Sequence, residues 1–369
     1  MRTGHGVAPR GGRTSLNAAM AILVAGLALP GGCTAGSPDR EPSGTGAPPG
    51  RSGPGISEPV AASASVAVER SAAGEGAGGA EAATASPGTP RPARDGNRGP
   101  FLTYPSVSRD GSRLVCSVDA TGDHEVWIHS FSDGSWLRLT ENPARDTEPA
   151  FSPDGSHVAW VSDRDGNREI YMMKADGSKE VNLTLQPARD SYPAFSPDGA
   201  RILFYSDRDG GIETLYFLDV ATREVTPVPG VGPGPNHSAS WAPDGSWIAY
   251  ESRRDGRLQI YALDLRDRVE RRLTSHDGED LLPQISPDGS RIVSGSRRAG
   301  NEEIHVMNAD GSGEINLTRG PSTDLAPRWS PDGAIVYVSD ISGRWAFHLM
   351  RDDGRATGRE PLSFPAGTR

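Results

Sequence analysis

The chain has 369 residues, with 38 Lys and Arg against 48 Asp and Glu (net −10), two cysteines and 6% aromatic residues. The charge is unevenly spread: residues 1–99 hold nine Arg and seven acids, whereas residues 100–369 are net −12. An acidic body excludes non-specific nucleic-acid binding, which needs clustered Lys and Arg, and so few cysteines exclude a disulfide framework.

In chain order, Arg2, Arg10 and Arg13 precede an acid-free apolar run, Ala18 to Leu29, that ends at Pro30-Gly-Gly-Cys33. Twelve residues fall short of the roughly 20 that span a bilayer, and the order positive, apolar, small predicts an export signal over 1–33. The end of this run resembles the lipobox of bacterial lipoproteins, with Pro30 departing from the usual small or β-branched residue. The resemblance implies lipid attachment at Cys33. With Thr34 rather than Asp next, it implies an outer-membrane anchor in a Gram-negative source. The alternative is an ordinary cleaved signal with an incidental Cys. Residues 34–99 contain no Phe, Trp, Tyr or Leu. They cannot bury enough apolar surface to offset ordering entropy, which predicts a disordered tether.

From residue 100 on, one phrase recurs: an apolar residue, a small residue, then Pro-Asp-Gly. Its leading residues are Phe151, Phe195, Trp241, Ile285 and Trp329, with a degenerate first copy at Val107, at intervals of 44, 44, 46, 44 and 44. Repeats of about 40–45 residues holding several short strands are the signature of propeller blades. Within one copy, Pro149 to Ser152, His157 to Ser162, Glu169 to Met173 and Glu180 to Thr184 read as four strands. They are separated by Pro-Asp-Gly and Asp-Gly turns. The second strand of each copy is nearly all apolar, as Val158-Ala-Trp-Val161 or Ile202-Leu-Phe-Tyr205, so both its faces should be buried between neighbouring sheets. The prediction is an all-β, six-bladed β-propeller of four-stranded antiparallel blades over 100–369, with a last strand near Pro361 to Phe364. Cys116, aligned with Trp160 and Phe204, reads as a small buried hydrophobe.

The phrase Asp146 to Gly155, followed by Ser162 to Gly166, Ile170-Tyr171, Asp176-Gly177 and Leu183-Thr184, resembles the PD-type propeller repeat of TolB-like proteins. The resemblance covers about residues 100–365 and implies a periplasmic, protein-binding propeller. TolB itself carries a folded α/β domain ahead of the propeller, where this chain has the polar tether. The resemblance therefore points to a TolB-like propeller lipoprotein rather than to TolB of the Tol–Pal system.

Five residues before the leading residue stand Asp146, Asp190, Asn236, Asp280 and Asp324. Two readings stand for this ring: a cation or basic-peptide site at one rim of the channel, or a loop brace needed once per blade. The connection Pro227 to Pro235 is two residues longer than its counterparts and delivers Asn236 and His237 to the same rim, where Leu281, Leu282 and Leu325 replace polar residues of earlier blades. Exposed leucines beside carboxylates would form a peptide-docking surface; folding back on the blade edge is the alternative. Asp163 to Gly166 lacks the spaced ligands and final Glu of a calcium loop, and neither a His-Glu-x-x-His nor a Gly-x-Ser-x-Gly occurs. No catalytic or metal residue and no cofactor are assigned. The expected function is a non-enzymatic envelope scaffold, monomeric, exported to the periplasm or outer membrane. It would bind an envelope protein or peptide through Asn236, His237, Asp280, Leu281, Leu282, Asp324 and Leu325, and touch the membrane only through its lipid. The alternative is a metal-dependent hydrolase, lactonase or lyase on the rim.

Overall fold

Each copy of the repeat folds into one antiparallel sheet whose strands follow chain order outward from the axis. The computed structural model describes residues 100–365 apart from Thr121. The export signal expected over 1–33, with Cys33, and the tether expected over 34–99 lie outside the described residues. Blades one to five have four strands and blade six has three, completed by a bridge between Phe347 and Leu362. The inner strands are Phe101–Val107, Asp146–Phe151, Asp190–Phe195, Asn236–Trp241, Asp280–Ile285 and Asp324–Trp329. Each packs on the inner strand of the next blade, and the sixth returns to the first. The expected six-bladed propeller is the observed fold.

Blade chemistry follows from the repeated phrase. In blade two, Ser152 Oγ donates to Asp154 at 2.6 Å and accepts the His157 amide at 2.9 Å, while Gly155 sits at φ +68°. The Pro-Asp-Gly turn is thus closed by its own side chains, which hold the Asp154 carboxyl down at about 2. The Leu-Thr pair ends the outer strand in the same economical way. Thr140, Thr184, Thr274 and Thr318 each accept a backbone N–H of the third strand through Oγ1. The all-apolar second strand packs on both faces. Val115, Val126 and Ile128 of blade one meet Phe151, Val158 and Trp160 of blade two in one buried cluster. Cys116 is fully buried as expected, and burial pushes its thiol up.

Closure between blades six and one is apolar. Each blade keeps its own strands, and the chain end lays Phe364 against two tryptophans of blade one, with ring centres 4.9 Å from Trp127 and 5.0 Å from Trp136. Phe101 meets Trp345 edge-on at 5.0 Å on the same seam. Two backbone hydrogen bonds of 2.9 Å between Phe347 and Leu362 hold the end in place. Phe364→Ala should therefore destabilise the whole ring by about 3 kcal/mol, the cost of emptying an aromatic site. Equilibrium unfolding in urea measures it; loss of a few tenths only would mean the seam closes without this ring.

Candidate functional site

Every inner strand carries a bulge three residues before its leading residue, where the register to the second strand shifts. The residues there, Tyr104, Glu148, Tyr192, Ser238, Leu282 and Ala326, all have positive φ, between 33° and 57°. The bulge divides the axis. Before it, the strand starts are almost without accessible surface. After it, the strands line an axial cavity of about 260 Å³ that reaches Pro197 in a Pro-Asp-Gly turn. Three residues of strand make this cavity about 10 Å deep. The propeller thus has a channel open toward the Pro-Asp-Gly face and blocked on the face of the Ser-Asp-Arg hairpins.

The mouth is apolar. Trp241 and Trp329 lie across the neighbouring inner strands, their indole N–H groups donating to Ala194 O at 3.1 Å and Gln284 O at 2.9 Å. Phe195 and Ile285 line the same level. The floor is polar: the Tyr192 hydroxyl donates to that of Tyr104 across the axis at 3.3 Å. Beside them Glu148 pairs with Arg168 and accepts the Tyr192 amide at 2.8 Å. One residue before each leading position, Ser106, Ala150, Ala194, Ser240, Gln284 and Arg328 face the cavity. Arg328 is its only cation among the described residues.

The residues expected to form a rim lie at the other end and are covered. Asn236, His237, Asp280, Leu281, Leu282, Asp324 and Leu325 are each at most 2% exposed. The expectation of an exposed leucine surface is therefore corrected. The bulge turns Leu282 inward, its amide donating to Glu251 at 2.7 Å, and all three leucines join the main core. The recurrent Asp is a brace, with a partner the sequence reading did not name. Asp146, Asp190 and Asp280 receive Arg164, Arg208 and Arg298 from the Ser-Asp-Arg or equivalent hairpin, always 18 residues on. Arg164, Arg208 and Arg254 also sit over aromatic rings of their blades at 4.4–5.1 Å. In blade four Asn236 takes the place of Asp, accepting from Arg254 at 2.9 Å and donating to Gly232 O and Gly234 O, which ties down the lengthened connection. Asp324 lacks an arginine and is held by Ser322 at 3.2 Å. His237 donates or accepts with Glu213 at 2.7 Å, and His305 is buried in its blade against Glu314 at 3.2 Å. Asp163, in the calcium-like hairpin, accepts the Arg145 amide and serves the turn. Among the described residues no group of three or more His, Cys, Asp or Glu is placed to hold a metal ion.

A family model described as the Tricorn protease N-terminal beta propeller domain matches residues 100–231, which take in blades one to three. No curated protein matches the chain. Among solved structures, a putative TolB from Agrobacterium tumefaciens is 24% identical with a TM-score of 0.56, the match covering 67% of this chain and 90% of that one. TolB from Acinetobacter baumannii is 23% identical with a TM-score of 0.55, covering 62% of this chain and 57% of that one. An oligogalacturonate lyase in complex with manganese is 19% identical with a TM-score of 0.50, covering 69% and 89%. This chain carries the TolB-like six-bladed propeller fold, and the same fold serves proteins of different activity.

Beneath the blocked end lies a set of buried charges. Glu251 stands where the other second strands have Ser117, Val161, Tyr205, Gly295 and Val338, and burial raises its pKa. Glu302 accepts from Arg297 Nε at 3.1 Å through one oxygen, while its other oxygen is buried without a partner. Gly295 leaves the room, since a β-carbon there would lie 3.0 Å from that oxygen. Burial, beyond what Arg297 offsets, lifts the Glu302 carboxyl from near 4.5 to about 7, and nearby Glu251 and Asp324 add to the rise. An acid raised in this way stays protonated in the fold while the unfolded chain ionises, so stability falls as pH climbs from 4.5 through 7. Glu302→Gln should remove that loss. The variant should gain on the native protein between pH 4 and pH 8, by up to about 3 kcal/mol, as read by urea unfolding at each pH. A difference between the two that does not change with pH would contradict a protonated Glu302.

Proposed function

We propose that the protein is an exported propeller that binds another envelope protein or peptide at the mouth of its axial channel, without catalysing a reaction. The observation that carries this reading is the shape of the channel. It is blind at one end, apolar at the mouth through Trp241, Trp329, Phe195 and Ile285, and polar at the floor. Aromatic residues around a recess, with polar groups beneath, are the composition of a protein-binding centre. A cavity of about 260 Å³ is smaller than the usual small-molecule site and suits a side chain or chain end delivered by a larger partner. The fold-level likeness to TolB structures supports the same reading. A lipid on Cys33 would hold the propeller at the membrane, on the strength of the charged, apolar and small segments that precede it.

The rival, a metal-dependent lyase, draws on the likeness to a manganese-bound oligogalacturonate lyase. It would need convergent ligands, and no such group stands among the described residues. The binding reading is tested by plugging the channel. Ala150→Trp and Ala194→Trp add bulk at two small, cavity-facing positions. Native protein cross-linked in its envelope should retain a discrete partner that both variants lose at unchanged unfolding temperature. Equal capture by the plugged variants would reject the channel mouth as the binding site.

A further inference from the structure

We infer that the channel is a carboxylate-binding site, with Arg328 as its anchor and an acidic residue or chain end of a peptide as its ligand. The inference rests on the binding role proposed for the channel mouth and adds the chemistry of what enters it.

Arg328 stands directly before Trp329, at a level where the other five blades present Ser106, Ala150, Ala194, Ser240 and Gln284. Four of those side chains are small, so they leave axial space into which a single guanidinium projects. Its surroundings set it apart from the other half-buried arginines. Arg164, Arg208 and Arg298 are bound by aspartates, Arg168 by Glu148, Arg254 by Glu270 and Arg297 by Glu302. No such ion pair reaches Arg328 among the described residues, and its one hydrogen bond runs from Nη1 to Pro327 O at 3.1 Å. A guanidinium has five N–H donors in a planar fork, so most of them are left for water or a ligand. Glu148, the one carboxylate lining the channel, is already taken by Arg168 and the Tyr192 amide. On the level of Arg328, the Ser240 hydroxyl is buried without a partner.

A recess with a free fork of cationic donors and no free carboxylate selects an anion, and the fork matches a planar carboxylate in two parallel hydrogen bonds. The source follows from charge and lining. Residues 100–369 are net −12, which repels free small anions at long range. A carboxylate carried on a larger ligand has further contacts to offset that repulsion, and the Trp241, Trp329 and Phe195 rings at the mouth provide them for apolar neighbours of an acidic residue.

The test compares Ac-Leu-Glu-NH2 with Ac-Leu-Gln-NH2 on the intact protein by saturation-transfer NMR. The glutamyl peptide should bind at least about tenfold more tightly, the size of effect expected of a charge-assisted hydrogen bond, and the preference should fade as salt is raised. Arg328→Gln should abolish the preference, whereas Arg328→Lys should keep part of it; the lysine variant guards against a mere folding defect. Equal binding of the two peptides, or a preference that survives Arg328→Gln, would overturn the inference. Tighter binding of D-galacturonate or inorganic phosphate than of the glutamyl peptide would also overturn it, by moving the site to a sugar acid or a phosphate. An envelope partner lost on plugging the channel but indifferent to Arg328→Gln would refute the carboxylate and leave the binding role standing. A carboxylate preference in a protein whose plugged forms keep their partner would do the reverse.

Discussion

One left-handed residue per blade decides what the axis of this propeller can do. A non-glycine residue at φ near +50° costs about 1 kcal/mol or more, and six inner strands carry one at the same place. They persist because the surroundings hold them. The N–H groups of Tyr192 and Leu282 are taken by Glu148 and Glu251, and in five blades a proline follows, removing a donor that the broken ladder would otherwise leave unpaired. The bulge aims the first half of each inner strand into the core and leaves the second half facing the cavity. A straight strand would line the channel from end to end; these strands make it blind.

That division explains which parts of the site were legible. A spacing of 44 with four short strands per copy made the blades readable, because each sheet must bury both faces against its neighbours and only a ring does so for all of them. The recurrent Asp was also visible as a brace. Its partner was written in the chain too, since Asp146 and Arg164, Asp190 and Arg208, and Asp280 and Arg298 keep one spacing. What the repeat could not reveal was the end of the channel that stays open. Periodicity places a residue at a strand start without saying that a bulge two residues later will bury it, so for Leu281, Leu282 and Leu325 it leaves open both an exposed rim and the buried place that the structure gives them. Arg328 breaks its column of Ser, Ala, Ala, Ser and Gln, but sequence alone does not say that this column faces the axis.

The charged residues inside the ring separate into two groups. Those at the blocked end are buried: the Asp–Arg pairs fix the geometry of the hairpins, and Glu302, with one oxygen unpartnered, sets a pH response of the fold. The one cation that lines the channel among the described residues, Arg328, has no ion pair and lies beneath a collar of aromatic rings. The propeller fold is shared with proteins that act in different ways, so its task must be argued from this channel rather than from the architecture.

The most direct measurement is hydrogen–deuterium exchange of the intact protein with and without the envelope partner that the proposed function calls for. The account predicts new protection in the half-strands around Ala194, Trp241 and Trp329 and in the adjoining Pro-Asp-Gly turns. Protection confined to the Ser-Asp-Arg hairpins or to the outer strands would contradict it.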